Sequence, residues 1–170
     1  MTLEALNSLP PVEAALTLGR CCGARAWVSA MLAARPFPDR AAVHAKADQA
    51  WWSLAGDDWR EAFAQHPRIG DIEALRLRFP ATSAWAGAEQ AGAYAADVDV
   101  LAELARGNRD YEERFGHIFI VCATGLTAHE MLARLHARLG NAAPDELRNA
   151  AAEHIKITHL RLDKLLEEER

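Results

Sequence analysis

Apolar positions recur along most of this chain at three- and four-residue intervals, the period of helices buried on one face. Trp27, Val28, Met31 and Leu32 share such a face and predict a helix over Ala24 to Ala34. Arg35-Pro36-Phe37-Pro38 ends it, because a residue before proline is pushed out of the helical region. Upstream, Pro11 to Leu18 reads as the first helix, with proline suited to the first turn and Gly19 to the stop. Downstream, Asp39 caps a helix carrying Val43, Ala47, Trp51 and Trp52. Gly56-Asp57 punctuates, and a short helix bearing Trp59 and Phe63 runs to Gln65, with His66 at or just past its end because Pro67 discourages continuation.

The second half continues the pattern. Asp71 reads as the cap of a brief helix holding Ile72, Leu75 and Leu77, stopped at Pro80. Thr82 or Ser83 caps the next, with Trp85 and Glu89 one turn apart, and Asp97 to Ala105 extends the helical reading. Gly107-Asn108 is expected to break it before a short polar helix from Asn108 to Phe115. Ile118 to Cys122 has strand composition, but a lone strand is unstable and no partner strand is evident. The expectation is therefore an extended, buried segment whose backbone groups find partners elsewhere. Thr127 and Glu130 stand at capping-box spacing before a helix through Met131, Leu132, Leu135 and Leu139, stopped at Gly140-Asn141. Pro144-Asp145 opens the longest helix, to about Leu166, with Leu147, Ala151, Ile155, Leu162 and Leu165 as its apolar stripe and Arg161 at the stripe's edge. The fold class expected is all-α, a single compact multi-helix domain over residues 1–170.

Bulk properties narrow the function. A net charge of −5 and no run of Lys or Arg argue against nucleic-acid binding. No window approaches the roughly 20 apolar residues of a membrane span. Three cysteines, two of them adjacent, make a poor disulfide framework and suit a reducing compartment. With no basic, apolar leader at the N-terminus, the expected location is the cytoplasm.

Proton-handling groups collect between Gln65 and Gln90, in Q-H-P-R-I-G-D and A-W-A-G-A-E-Q-A-G. His66 has the side chain whose ordinary pKa lies nearest working pH, and a helix C-terminus favours its imidazolium. Alone, it reads first as a capping histidine; Pro67 and Gly70, which constrain and release the backbone around it, shift the reading toward an aimed side chain. Glu89 and Gln90 are either a solvated pair or a carboxylate and an amide of a pocket. Arg161 is either a stem packed on the core or a fork for an anionic or carbonyl-rich ligand. Cys122, in an apolar run, reads as a core thiol more than a nucleophile. The histidines lack zinc-site spacing, and no glycine-rich phosphate loop follows a strand, so neither a metal nor a nucleotide cofactor is expected.

Four motifs in order then carry a resemblance: H-P-R-I-G at 66–70, E-Q-A-G at 89–92, F-G-H-I-F-I-V-C-A at 115–123 and K-I-T-H-L-R-L at 156–162. Together they resemble the 2-oxo-4-hydroxy-4-carboxy-5-ureidoimidazoline (OHCU) decarboxylases of urate degradation. The resemblance implies a small all-α fold, commonly a homodimer, that uses no cofactor and releases CO2 from OHCU to give (S)-allantoin. It implies His66 as proton donor with Pro67 beside the substrate, Glu89 and Gln90 as the carboxylate and amide of the pocket, and Arg161 as its arginine. The backbone of Phe119, Ile120, Val121, Cys122 and Ala123 would line the ligand. Two positions depart from the family pattern: Ala86 stands where a serine is usual, and His117-Ile118 replaces the usual pair after F-G. They leave open a related ureide or imidazoline substrate. A non-catalytic helical interaction protein, with the Trp-rich first half as its face, is the rival of a different class, and it requires exposed tryptophans.

Overall fold

The computed structural model describes residues 1–66 and 91–167, with side chains of the helix from Ala91 described from residue 99 onward. Among the described residues there are eight α-helices and no strand. They are α1 (Leu3–Ser8), α2 (Pro11–Gly19), α3 (Arg25–Ala33), α4 (Arg40–Trp52), α5 (Gly56–Phe63), α6 (Ala91–Phe115), α7 (Ala128–Leu139) and α8 (Ala143–Leu166). The all-α expectation holds. The helices expected after Asp71 and after Thr82 or Ser83 lie outside the described residues, as do Pro67, Ala86, Glu89 and Gln90.

The chain forms two compact units, one of residues Met1–His66 and Ala151–Arg170, the other of Pro67–Ala150. In the first, Trp27, Met31, Val43, Trp51, Phe63 and Leu162 are buried. Indole N–H groups tie helices together there: Trp27 donates to the Ala47 carbonyl at 3.1 Å and Trp51 to that of Ala151 at 2.9 Å. Asp39 caps α4 as expected, accepting from the Ala42 N–H at 2.7 Å. Two boundaries differ from expectation. An additional helix, α1, precedes Pro11, its first turn capped by the Thr2 hydroxyl. Gly56 begins α5 instead of punctuating it, because Asp58 accepts from the Ala55 N–H at 3.1 Å and secures the first turn.

In the second unit, Leu101, Leu104, Tyr111, Phe115, Phe119, Val121, Met131 and Leu135 form one apolar cluster. Gly107-Asn108 does not break the helix; α6 runs through both. Asn108 Nδ2 donates back to the Leu104 carbonyl at 2.8 Å. Gly107 sits where α7 comes close, since a Cβ there would lie 2.4 Å from Leu135 Cδ2. The glycine serves helix–helix packing, which outweighs its cost of about 1 kcal/mol in helix propensity. Phe115 to Ala123 leaves α6 through Gly116, at φ 70°, and runs extended, with Phe119, Ile120 and Val121 buried. Thr127 and Glu130 form the expected capping box. Cys122 is half-buried and does not belong to the core as expected; Cys21 and Cys22 are the buried thiols, and none of the three forms a disulfide.

The buried row of α8 also differs from the apolar stripe. It steps by four through Glu146, Ala150, His154, Thr158, Leu162 and Leu166, while Leu147 and Leu165 are only half-buried. Three of its six members are polar, so hydropathy alone misses part of this row, while Ala151, Ile155 and Leu162 of the expected stripe are buried as expected.

Candidate active site

His66 follows α5 through a tightened last turn, in which its N–H donates to the Phe63 carbonyl at 3.0 Å and that of Gln65 to Ala62 at 3.2 Å. Gly23 makes room for this turn: a Cβ there would stand 2.3 Å from Gln65 Cγ. The chain thus reaches His66 with little freedom.

Opposite His66 stands His154 of α8, fully buried. The two rings meet edge to face, centroids 4.9 Å apart, and the His154 ring stacks on Trp51 at 4.5 Å. Thr158, one turn on, places its Oγ1 at 3.4 Å from His154 Nδ1 and 3.3 Å from the His154 carbonyl. Nε2 of His66 and Nε2 of His154 are both buried, with no hydrogen-bond partner among the described residues. Arg161, two turns beyond His154, completes the group. Its Nη1 donates to the carbonyls of Arg20 and Cys21 at 3.4 and 3.3 Å, where α2 ends. Among the described residues this guanidinium forms no ion pair.

Electrostatics follow from burial beside one cation. Desolvation first, then Arg161, lowers the His66 pKa to about 4. Desolvation, His66 and Arg161 lower that of His154 to about 3. Burial pushes the Cys21 and Cys22 thiols up to about 11 and about 12, which leaves them poor nucleophiles. The helix-end effect expected to favour a charged His66 amounts to roughly 0.3–1 kcal/mol, less than the desolvation it opposes. His66 is therefore neutral at rest. Two neutral imidazoles with unpartnered nitrogens beside a cation can receive an anionic, carbonyl-rich molecule and hand it a proton.

In the second unit, the extended segment is fixed by Arg138, whose Nη1 donates to the Ile120 carbonyl at 2.8 Å while its guanidinium lies 4.7 Å above the Phe119 ring. Arg138 in turn meets the fully buried Glu146, Nε to Oε1 at 2.7 Å. Tyr111 donates its hydroxyl to the same carboxylate, and Asn141 Nδ2 donates to Oε2 at 2.7 Å. Of the residues expected at the site, His66 and Arg161 lie in the first unit and Phe119 to Ala123 in the second. Sequence reasoning missed His154, Arg138 and Glu146. For His154 the signal available was spacing, since it precedes Arg161 by seven residues, two turns of one helix; Arg138 and Glu146 lie on successive helices, and no such spacing links them.

Fold and site define a small all-helical protein with a buried and a half-buried histidine paired beside an arginine. A model of the OHCU decarboxylase family matches residues 7–163, and the chain belongs to that family. It is 31% identical over 170 residues to the 2-oxo-4-hydroxy-4-carboxy-5-ureidoimidazoline decarboxylase of Amia calva, covering 98% of this chain and 95% of that one. It is 37% identical over 148 residues to the uric acid degradation bifunctional protein TTL of Arabidopsis thaliana. That match covers 85% of this chain and 45% of the plant protein, so the chain spans under half the length of that relative. Among solved structures, an OHCU decarboxylase crystallised in the presence of (S)-allantoin superposes with a TM-score of 0.69 at 35% identity, covering 88% of this chain and 96% of that one. An (S)-allantoin synthase gives the same TM-score at 20% identity, covering 98% and 54%, a likeness of fold.

Proposed function

We propose that this chain is a carboxy-lyase that converts OHCU to (S)-allantoin and CO2 without a cofactor. The observation that carries the reading is the half-buried, neutral His66 beside Arg161, in a chain of this family. The C–C bond to the substrate carboxylate breaks, CO2 leaves, and the bonding pair passes into the imidazoline ring and its carbonyl. One proton is added to one face of the ring carbon that becomes the stereocentre, so each turnover consumes one proton. His66 delivers it. Because the free enzyme holds His66 neutral, the imidazole takes up its proton as the substrate anion arrives and offsets the Arg161 charge. Arg161 grips the anionic, carbonyl-rich ring.

The roles that the resemblance gives to Pro67, Glu89, Gln90 and the 119–123 backbone belong to the same proposal, with Glu89 orienting His66. So do a single domain, a homodimer and a cytoplasmic location. Val12 and Leu16, exposed one turn apart on α2, support a subunit contact. The interaction-protein reading loses support because Trp27 and Trp51 are fully buried, although Trp52 is 43% exposed.

The test starts from urate, with urate oxidase and hydroxyisourate hydrolase generating OHCU in place and circular dichroism following the product. The expected result is rapid growth of the (S)-allantoin signal with the wild-type chain and racemic product with folded His66→Asn. Near-normal turnover in His66→Asn would overturn the assignment of the proton donor, and a flat wild-type trace would overturn the substrate.

A further inference from the structure

His154 is a costly residue where it stands. Its contacts with Trp51 and Phe63 are ring against ring, at 4.5 and 5.7 Å, and a phenyl group would make them without burying nitrogen. The nitrogens therefore need an account beyond packing. Thr158 bears on one of them. Its Oγ1 lies 3.3 Å from the His154 carbonyl and 3.4 Å from His154 Nδ1, and with its single hydrogen given to the carbonyl Oγ1 would accept from His154 Nδ1–H. In that tautomer Nε2 carries a lone pair. It is buried, unpartnered among the described residues, and adjacent to a ring whose own Nε2 is buried and unpartnered as well. A direct imidazole–imidazole hydrogen bond places ring centroids about 5 Å apart, from an N···N distance near 2.9 Å and the two ring radii. The His66 and His154 centroids are 4.9 Å apart. The ring separation is that of such a pair, and no hydrogen bond joins the two rings in this structure.

We propose that His154 is a second positioning residue for His66, beside Glu89: its Nε2 lone pair accepts the Nε2–H of the His66 imidazolium formed when the substrate anion binds, leaving His66 Nδ1–H to deliver the proton. This rests on His66 being the proton donor of the reaction proposed above. In the free protein His66 is neutral and the bond is not made. When His66 gains a proton both of its nitrogens carry hydrogen, and one of them finds an acceptor already in place. The proton moves from solvent to His66 and from His66 Nδ1 to the substrate carbon, and His154 keeps its own throughout. Among the described residues, the charged group acting on the pair is Arg161 on α8, which also acts on the thiols of Cys21 and Cys22 after α2.

The sign of the pH effect follows. Turnover needs protonated His66 in the substrate complex, so kcat is high at low pH and falls as pH rises through that ionisation. Removing the acceptor destabilises the imidazolium and moves the limb to lower pH. The experiment measures kcat and KM from pH 5.5 to 9 for the full-length wild type, His154→Phe, His154→Gln and His66→Asn. In His154→Phe, kcat at pH 7.5 should fall about tenfold or more and recover as pH is lowered, with KM little changed. His154→Gln, whose amide oxygen can accept, should restore most of the rate. Nitrogen-15 spectra of the wild-type imidazoles supply a readout independent of how the variants fold: His154 should be the Nδ1–H tautomer in the free protein. A wild-type pH profile in His154→Phe, a loss equal at every pH and not rescued by Gln, or an Nε2–H tautomer would each overturn the inference. If His66→Asn is inactive while His154→Phe is normal, only this inference fails. If His66→Asn turns over normally, the reaction assignment beneath it fails.

Discussion

Replacing Arg138 by Met probes how the extended segment from Phe115 to Ala123 is held. The side chain keeps its apolar bulk but loses three things: the ion pair with the fully buried Glu146, the hydrogen bond to the Ile120 carbonyl, and the cation over the Phe119 ring. Breaking one side of a buried pair costs roughly 3–5 kcal/mol, because the surviving charge stays buried. Tyr111 and Asn141 still donate to Glu146 and keep the cost toward the lower end, while the orphaned carbonyl adds about 1 kcal/mol. A total near 4 kcal/mol lowers the melting temperature by about 8–16 °C in a chain of this size. Urea unfolding followed by far-UV circular dichroism measures the free energy, and Arg138→Met/Glu146→Leu closes the cycle by removing the stranded carboxylate. The double variant should be clearly more stable than the sum of the two single losses. The acid side agrees in sign: burial raises the Glu146 pKa, but hydrogen bonds from Arg138, Tyr111 and Asn141 and the Arg138 charge outweigh it, and the net direction is down. Its contribution is therefore complete above the unfolded value near 4.5 and is lost as pH falls through the folded one. A single-variant loss under about 1 kcal/mol, or strict additivity in the cycle, would refute the reasoning.

The paired histidines make a second acid-side prediction. With pKa values lowered to about 4 and about 3, His66 and His154 leave the fold most stable above 6.5, and stability falls as pH drops toward 4. His66 alone accounts for on the order of 3 kcal/mol of that loss. The difference between urea midpoints at pH 7 and 4.5 should shrink in His66→Asn, with the His154 part remaining, and an unchanged difference would count against a neutral His66. Gly23→Ala forces the turn before His66 outward, since its Cβ would meet Gln65 Cγ at 2.3 Å. The expected result is a drop of at least tenfold in kcat/KM with a stability loss of only about 1–3 kcal/mol; unchanged kinetics would show that the turn adjusts freely.

Much of the architecture was legible because local chemistry dictated it. Asp39, the Thr127–Glu130 box and the proline-rich stop after Ala34 each fix a helix end through groups within four residues of it. Gly107 misled for the opposite reason. A glycine followed by asparagine is a local breaking signal, and what overrides it is Leu135, a residue of another helix. Gly56 misled in the same way, its break countered by an acidic first turn. Within the site, His66 and Arg161 were legible through motif order alone, and the charge state of His66 was not. A helix end suggested an imidazolium, while burial and the guanidinium, which are properties of the folded chain, reverse the sign.

The same distinction explains why the polar members of the buried face of α8 were missed, although Ala151, Ile155 and Leu162 were read correctly. A hydropathy pattern assumes that a buried residue is apolar, and it holds for Ala150, Leu162 and Leu166. Glu146, His154 and Thr158 occupy the same row because each has a partner that satisfies or constrains it: Arg138 and Tyr111 for the carboxylate, Trp51 and His66 for the imidazole, and the His154 carbonyl for the hydroxyl. Polar groups are costly in such positions unless paired, so a row that carries three of them marks a helix whose buried face is constrained by more than stability. Glu146 is fully paired and acts as a brace. His154 is not, and the nitrogen left over belongs to the ring packed against His66, the proton donor of the proposed reaction. On this helix the unsatisfied member of the polar row distinguishes chemistry from scaffold.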